Sequence, residues 1–422
     1  MASTISNIGD GIGLIAYPWL ASAVTRNPIL IALVAVVQRL PWLVFSLPAG
    51  VITDRVNRRT LMVRANAVRA VLTIGVAFLV LNRQSSLPGP DEVAAATGAL
   101  DTDLVLYGVV LLATGLLGVA EVLYDNAGQT FMPAIVAPAN LEKANGRLWS
   151  IESVANTFMG PPLGALLLVL AFSVPFFVDA VTFALSAVLI TMIPASRTAP
   201  KPAGTEAKSW REDLVEGFRW LWGHELLRPM AIILGLLNML FTMSGATLVL
   251  FAQEVLKTDA TEFAILGTGG AVGGVLGGWT GSWVASKIGS GPSLALTLIG
   301  GGTTSIIIGF ASSWPLVWVM TSISMFVAVL WNVITVSLRQ TIIPDHLLGR
   351  VNSVYRFFAW GMMPIGAFLG GVVVLVTEAT ASRELALRMP WFFAGVAQFV
   401  LLVGVTRLLT TDKIESARAG GN

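Results

Sequence analysis

Apolar stretches about twenty residues long, separated by short polar turns, recur from one end of the chain to the other. A bilayer core of about 30 Å takes roughly 20 helical residues at 1.5 Å each. Runs at 7–25, 28–53, 60–82, 103–127, 148–170 and 175–195 reach that length, as do 229–252, 262–285, 292–312, 315–338, 351–377 and 390–409. The pattern predicts twelve membrane helices in an all-α polytopic membrane protein. Between them fall an exterior loop at 83–102, with Pro88, Gly89, Pro90, Asp91 and Glu92, and a cytoplasmic connection from Pro133 to Arg147. Only 196–228 interrupts the hydrophobicity at length. Pro200, Pro202 and Gly204 read as linker, and Ser209 to Asp213 opens an amphipathic helix carrying Phe218, Trp220, Leu221 and Trp222, expected on the inner membrane surface. The expected organisation is a six-helix bundle at 1–195, the linker with its helix at 196–228, a second six-helix bundle at 229–410 and a tail at 411–422.

An internal repeat supports that count. Gln129-Thr130-Phe131-Met132-Pro133 after helix 4 matches Gln340-Thr341-Ile342-Ile343-Pro344 after helix 10, and Leu141 to Gly146 loosely matches Leu348 to Ser353. Pro162-Leu163-Gly164-Ala165 in helix 5 matches Pro364-Ile365-Gly366-Ala367 in helix 11, so the two halves are related.

Composition narrows the function classes. Of 422 residues 55% are hydrophobic and 12% charged, with a mean hydropathy of +0.78. With no cysteine, disulfides, thiol catalysis and cysteine metal sites are excluded. A net charge of +2, spread over membrane-flanking loops, implies no nucleic-acid partner. The two histidines, His224 and His346, fall in loops, and no nucleophile, metal constellation or phosphate-binding Gly-Lys-Ser/Thr loop is present, so neither an enzyme nor a cofactor or metal is expected. The start of the chain does not resemble a cleaved signal peptide.

Charge then sets orientation. The loop Gly50 to Arg59 carries Asp54, Arg55, Arg58 and Arg59, and short basic loops stay in the cytoplasm. With both termini inside, twenty Lys and Arg lie on the cytoplasmic side or its helix ends, Arg64 and Arg69 included, against five outside, with Arg39 within the bilayer.

Charges inside a membrane are the first candidates for chemistry, because each costs at least a few kcal/mol at the bilayer centre. Arg39 and Glu121 lie deep, whereas Asp10, Glu152 and Asp179 fall within about a turn of expected helix ends, where capping or hydration is the simpler role. Arginine does not lose its proton, so Arg39 can attract an anion or hold a carboxylate. Glu121 can titrate; it is the candidate proton carrier, or else an ion-pair partner of Arg39 or Arg69, with Asp10 and Asp179 as further coupling candidates. Tyr107 and Thr114 share the face of helix 4 with Glu121, and Asp125 follows one turn on. Together with Arg39, the candidate cavity residues are Tyr107, Thr114, Asn238, Thr242, Thr321, Met325 and Asn332. Gly269, Gly273, Gly277 and Gly281 form a stripe in helix 8, with Gly270, Gly274 and Gly278 beside it, and Gly160/Gly164 and Gly366/Gly370 repeat the spacing. Such stripes give close static packing or a smooth face for sliding.

The spacing G-x-x-x-D-R-x-x-R-R from Gly50 to Arg59 resembles the signature loop of the major facilitator superfamily. The family has glycine where Asn57 stands; asparagine is the next residue able to take a left-handed turn. Ile8-Gly9-Asp10-Gly11, Gln38 to Trp42, Glu121 to Asn126 and Phe177 to Ala180 resemble the branch that includes macrolide-efflux proteins and the enterobactin exporter, and Gly160-Pro161-Pro162-Leu163-Gly164 is similar to the antiporter motif of helix 5. The resemblance implies two parallel halves with the substrate site at mid-membrane, and favours the sliding role for the glycine stripes. It also implies a gating group of Gly50, Asp54, Arg55, Arg58, Arg59 and Asp125, with Asp54 at the start of helix 11 and Arg58 or Arg59 reaching Asp125. The expected function is a monomeric exporter of a bulky amphipathic molecule (a drug, macrolide or siderophore-like compound), exchanged for protons across the cytoplasmic membrane. The alternative is an uncoupled facilitator or lipid translocator.

The charge asymmetry gives a direct test of topology. Reporter fusions after residue 205 and at the C-terminus should both report cytoplasm and one after residue 92 the exterior; a cytoplasmic signal at 92 overturns the map.

Overall fold

The structure, a computed structural model, describes residues 1–89, 92–93, 102–136, 148, 151–152, 154–193 and 210–420. The expected linker at 196–209, the repeat segment Leu141 to Gly146, and the side chains of Gly50, Asp54 and Arg55 lie outside the described residues and side chains. The chain forms two compact units, Met1–Ala203 with Val249–Thr268, and Gly204–Leu248 with Gly269–Asn422. Segment Val249–Thr268 thus departs from the expected 229–410 block and belongs to the first unit.

The first unit is built from α1 (Ala2–Val24), α2 (Pro28–Arg55), α3 (Arg58–Arg83), α4 (Leu104–Ile135), α5 (Gly160–Leu170) and α6 (Val174–Thr191). Asn27 starts α2 because its side chain accepts from the amides of Ile29 and Leu30 ahead of Pro28 at the first turn. Asn57 does the same for α3. Its φ of −60° is ordinary backbone and its side chain accepts from the Thr60 amide, so it is a helix cap and not the left-handed turn expected. Pro161 and Pro162 have no N–H to return to the preceding turn, and a π-helical segment, Val154–Met159, leads into α5 just before them.

The second unit holds α7 (Trp210–Gly223), α8 (Leu227–Gly245), the C-terminal part of α9 (Ala260–Ile288), α10 (Ser290–Phe310), α11 (Trp314–Ile342), α12 (Asp345–Glu378), α13 (Arg383–Leu408) and α14 (Thr411–Gly420). Helix α7 packs onto its own unit. It docks on α12: Leu221 is buried, Glu216 pairs with Arg350 at 2.6 Å, and Phe218 and Trp222 stack on each other and on Phe358. At the start of α8, His224 Nδ1 accepts from the amides of Leu226 and Leu227, and burial pushes its pKa down, which keeps that lone pair available. The tail is helical, with Ile414 fully buried.

The two units repeat one packing plan. In the first, α1 packs on α5 and α3 on α4 and α6; in the second, α8 packs on α12 and α10 on α11 and α13. Glycines allow the first of these contacts in both. Gly160 and Gly164 sit against the backbone of Ile8, Gly11 and Ile12, while Gly366 and Gly370 sit against Met239 and Met243. Among the described residues ten helices are long and apolar enough to cross a membrane; α1 and the shorter Val154–Leu170 stand beside them.

The stripe in α9 is a packing device inside the second unit. Gly269 lies 2.7 Å, measured to a Cβ added there, from the Trp318 carbonyl of α11, Gly273 lies against Ser322, Gly277 against Phe326 and Val329, and Gly281 near Val333. Of the two roles expected for Gly269 to Gly281, close packing is the one these contacts display. By contrast, a Cβ at Gly278 meets nothing within 4 Å. Gly273→Ala should therefore lower stability by about 1–3 kcal/mol through forced displacement of α11, and Gly278→Ala should not, as read by thermal unfolding of the purified protein. Equal melting temperatures would remove the packing role of the stripe.

Candidate functional site

Helix α3 carries Asn66, Arg69 and Thr73 at helical spacing, all of them buried. It meets the polar face of α6, where Asp179, Thr182 and Ser186 follow in the same way. Asn66 donates to the Ser186 hydroxyl at 2.8 Å, and the Arg69 guanidinium lies 3.9 Å from the centre of the Phe183 ring. Helix α1 completes the group: Asp10 forms an ion pair with Arg69, whose side chain is only 3% exposed. Gly9 is what lets α6 come so near, because a Cβ there would collide with the side chains of Asp179 and Thr182. The hydroxyls of Tyr17 and Thr73 are buried in the same group without a hydrogen bond of ordinary geometry. The charge of Arg69 also acts on Glu121, Asp179 and Asp125.

The structure thus joins Asp10 to Arg69, an arginine that the sequence reading placed at a cytoplasmic helix end, and brings Asp179 beside Gly9 of the same helix as Asp10. Arg69 stands 11 residues into a 26-residue helix, and Asp10 stands eight residues into α1, not within a turn of its end. Asp179 is buried, which excludes simple hydration at a helix tip. The signal for this cluster was present: polar residues at spacings of three and four in two apolar helices. Arg69 pairs with Asp10 and not with Glu121, which forms no hydrogen bond or ion pair among the described residues. Arg39 is exposed on α2, and its charge acts on Glu121 without direct contact.

The other candidates separate. The Tyr107 hydroxyl donates to the Leu30 carbonyl at 2.9 Å, tying α4 to α2, and Thr114 donates to Val110 in its own helix. In the first turn of α3, Arg59 reaches the C-terminal carbonyls of α6, at Ile190 (3.2 Å) and Thr191, rather than Asp125. Gly160, Pro161 and Gly164 are buried where α5 meets α1.

In the second unit, Asn238, Thr321, Met325 and Asn332 line a cavity of about 330 Å³ whose wall carries no charged side chain. Thr242 is not on that wall; its hydroxyl lies within hydrogen-bonding distance of the carbonyls of Asn238, Met239 and Met363. Sequence reasoning missed Phe241, Trp331 and Trp391, which also line it, because aromatic residues in an apolar helix carry no distinguishing pattern, and it missed Gln398, a lone polar residue in an apolar helix.

Comparison with known proteins gives a consistent result. The profile of the Major Facilitator Superfamily matches residues 1–367. The chain is 26% identical to the multidrug efflux pump Tap of Mycolicibacterium fortuitum, over 95% of this chain and 94% of that protein. It is 24% identical to the enterobactin exporter EntS of Shigella boydii serotype 4, over 97% and 92%. A bacterial homologue of the iron transporter ferroportin in an inward-facing state matches with a TM-score of 0.70 at 15% identity, covering 96% of this chain and 97% of that one. The nucleoside transporter NupG matches with 0.69 at 11%, covering 97% of each. At these identities the solved structures speak for the fold alone.

If Arg69 is the cation that holds the cluster together, its loss should cost more than the loss of its partner. Arg69→Gln should destabilise by about 3–5 kcal/mol, the range for breaking a buried pair. Asp10→Asn should cost roughly half of that, since Glu121 and Asp179 remain near the guanidinium. Denaturant unfolding in lipid nanodiscs measures both; equal, small losses would show the ion pair to be incidental.

Proposed function

The chain belongs to the major facilitator superfamily and is a multi-pass membrane transporter, and on that premise we propose that it exports a bulky amphipathic small molecule by alternating access, in exchange for protons. In this reading α1 and Val154–Leu170 join the ten long apolar helices to give twelve crossings in two halves, with both termini in the cytoplasm and the monomer as the working unit. The cargo is a drug, macrolide or siderophore-like compound, in keeping with its similarity to a multidrug efflux pump, Tap, and an enterobactin exporter, EntS.

One observation carries the coupling. Asp10 is paired with the buried Arg69, the buried Asp179 stands beside Gly9 of the same helix as Asp10, and the charges of Glu121 and Asp125 also act on Arg69. A bilayer interior does not tolerate such an excess of negative charge, and protons are the smallest cations that can balance it. Glu121 is the carrier in this proposal, since Arg69 is already paired with Asp10. Asp10 and Asp179 set the field in which it works, and Asp54, Arg55 and Arg58 with Gly50 form the cytoplasmic gate.

Glu121→Gln keeps size and hydrogen bonding but cannot ionise. In proteoliposomes with an imposed pH gradient, uphill export and substrate-induced proton flux should vanish, while downhill exchange persists. Undiminished proton-driven accumulation in the well-expressed variant would move the coupling role to Asp10 or Asp179.

A further inference from the structure

The cavity of the second unit lies among α8, α10, α11, α12 and α13, and no residue of its wall is charged. At about 330 Å³ it stands at the lower end of the roughly 300–1,000 Å³ typical of ligand pockets, so it has room for a ring system and not for the whole of a bulky compound. Phe241, Met325 and Trp391 give it flat and pliable apolar surfaces.

Two asparagines give that wall a polarity. Asn238 of α8 donates an amide N–H to the Ala359 carbonyl of α12 at 2.9 Å, and Asn332 of α11 donates to the Ala328 carbonyl at 3.3 Å. A carbonyl only accepts, so each contact fixes which end of the amide is nitrogen and leaves the oxygen on the other side of the planar group. Among the described residues nothing donates to either Oδ1. Neither oxygen is sealed in the packing as the Trp331 indole N–H is: Asn332 is exposed, and Asn238 is half-buried with its Oδ1 open.

Water matches such oxygens until a ligand enters, and a ligand that strips them of water without returning a donor loses affinity. The hydroxyls of Thr321 and Ser324 on the same wall turn to suit either kind of partner, so the fixed amides decide the preference. An anion would be repelled by the oxygens, and a cation would find no carboxylate on the wall. We infer that this cavity takes a flat, uncharged, hydrogen-bond-donating part of the cargo, such as a ring bearing an N–H or O–H, with Asn238 Oδ1 and Asn332 Oδ1 as the acceptors. That the occupant is exported cargo rests on the exporter reading above; the chemistry of the site does not.

The test uses three tricyclic probes of one shape: carbazole, which donates an N–H, dibenzofuran, which presents an ether oxygen, and fluorene, which does neither. Binding to the purified full-length protein is measured by equilibrium dialysis against empty micelles, which corrects for partitioning. Carbazole should bind about tenfold more tightly than the other two, the effect of one matched pair. The double variant Asn238→Leu/Asn332→Leu keeps the bulk of both side chains and removes both oxygens; it should abolish that preference and leave fluorene binding unchanged. Met325→Trp should weaken all three probes by filling the cavity. Equal binding of carbazole and fluorene to the unaltered protein overturns the proposal without recourse to any variant and indicates an apolar, lipid-like filling; tighter binding of dibenzofuran than of carbazole overturns it too. A carbazole preference that survives the double variant, or probe binding that survives Met325→Trp, does the same. Donor-selective binding without proton-driven export would leave the pocket standing and remove the exporter reading, and export without donor-selective binding would do the reverse.

Discussion

The first unit depends on the burial of one guanidinium. Arg69 is placed in mid-helix, closed off on one side by the Phe183 ring and matched by Asp10 from a different helix. A cation in that position is expensive unless it is paired, so α1, α3 and α6 can only pack in a register that brings Asp10 and Phe183 to it. The small residues around it serve the same requirement. Gly9 clears the path for Asp179 and Thr182, and Gly160 and Gly164 allow α5 to close on the other side of α1.

The second unit repeats the packing plan around a cavity with no charged side chain on its wall. Gly366 and Gly370 bring α12 against α8 as Gly160 and Gly164 bring α5 against α1, yet the space enclosed is lined by amides, hydroxyls and aromatic rings. Two halves of common layout thus carry different chemistry: a group of ionisable side chains in one, and an uncharged cavity in the other. That division suits a transporter in which ion and cargo are handled by different residues, because a change in proton occupancy need not disturb direct contacts to a neutral ligand.

Much of this was legible in the sequence, and the errors have physical causes. Approximate helix bounds follow from apolar run length, which the bilayer dictates, though only ten of the twelve expected crossings are helices long and apolar enough to span a membrane among the described residues, and the pairing of the halves follows from repeated Pro and Gly positions. Depth was harder. Arg69 was grouped with loop charges because positive residues near a basic turn usually mark the cytoplasmic end, and helix α3 begins at Arg58, well before it. The α9 glycines show a similar ambiguity. A row of glycines states that a backbone will come near, and only the contact with Ser322 and Phe326 states which one. Asn57 was read from what a family glycine does, whereas its own side chain supplied a different answer as a cap on the Thr60 amide. The aromatic wall of the cavity could not be seen at all, since Trp331 and Trp391 sit in helices already rich in large apolar residues.

The least expected feature is the allegiance of Val249–Thr268. Read as sequence, helix 7 runs on to 252; in the structure α8 stops at Gly245, and a short helical stretch passes into a π-helical segment at Phe251–Val255. The reason lies in side chains that have left their own bundle. Gln253 donates to Ser22 at the end of α1 and accepts from Arg26, Glu254 stands 3.6 Å from the same arginine, and Phe263 lies against Trp19. Arg26 also donates to the Val93 carbonyl, so the end of α1 and the exterior loop share one buried anchor. Covalently, this segment is flanked on both sides by helices of the second unit, and its boundaries fall at Leu248 and at Gly269. Glycine stands at both: Gly245 closes α8, and Gly267, Gly269 and Gly270 surround the crossing inside α9. The segment is thus tied to the end of α1 through Arg26 while the chain on either side of it belongs to the second unit.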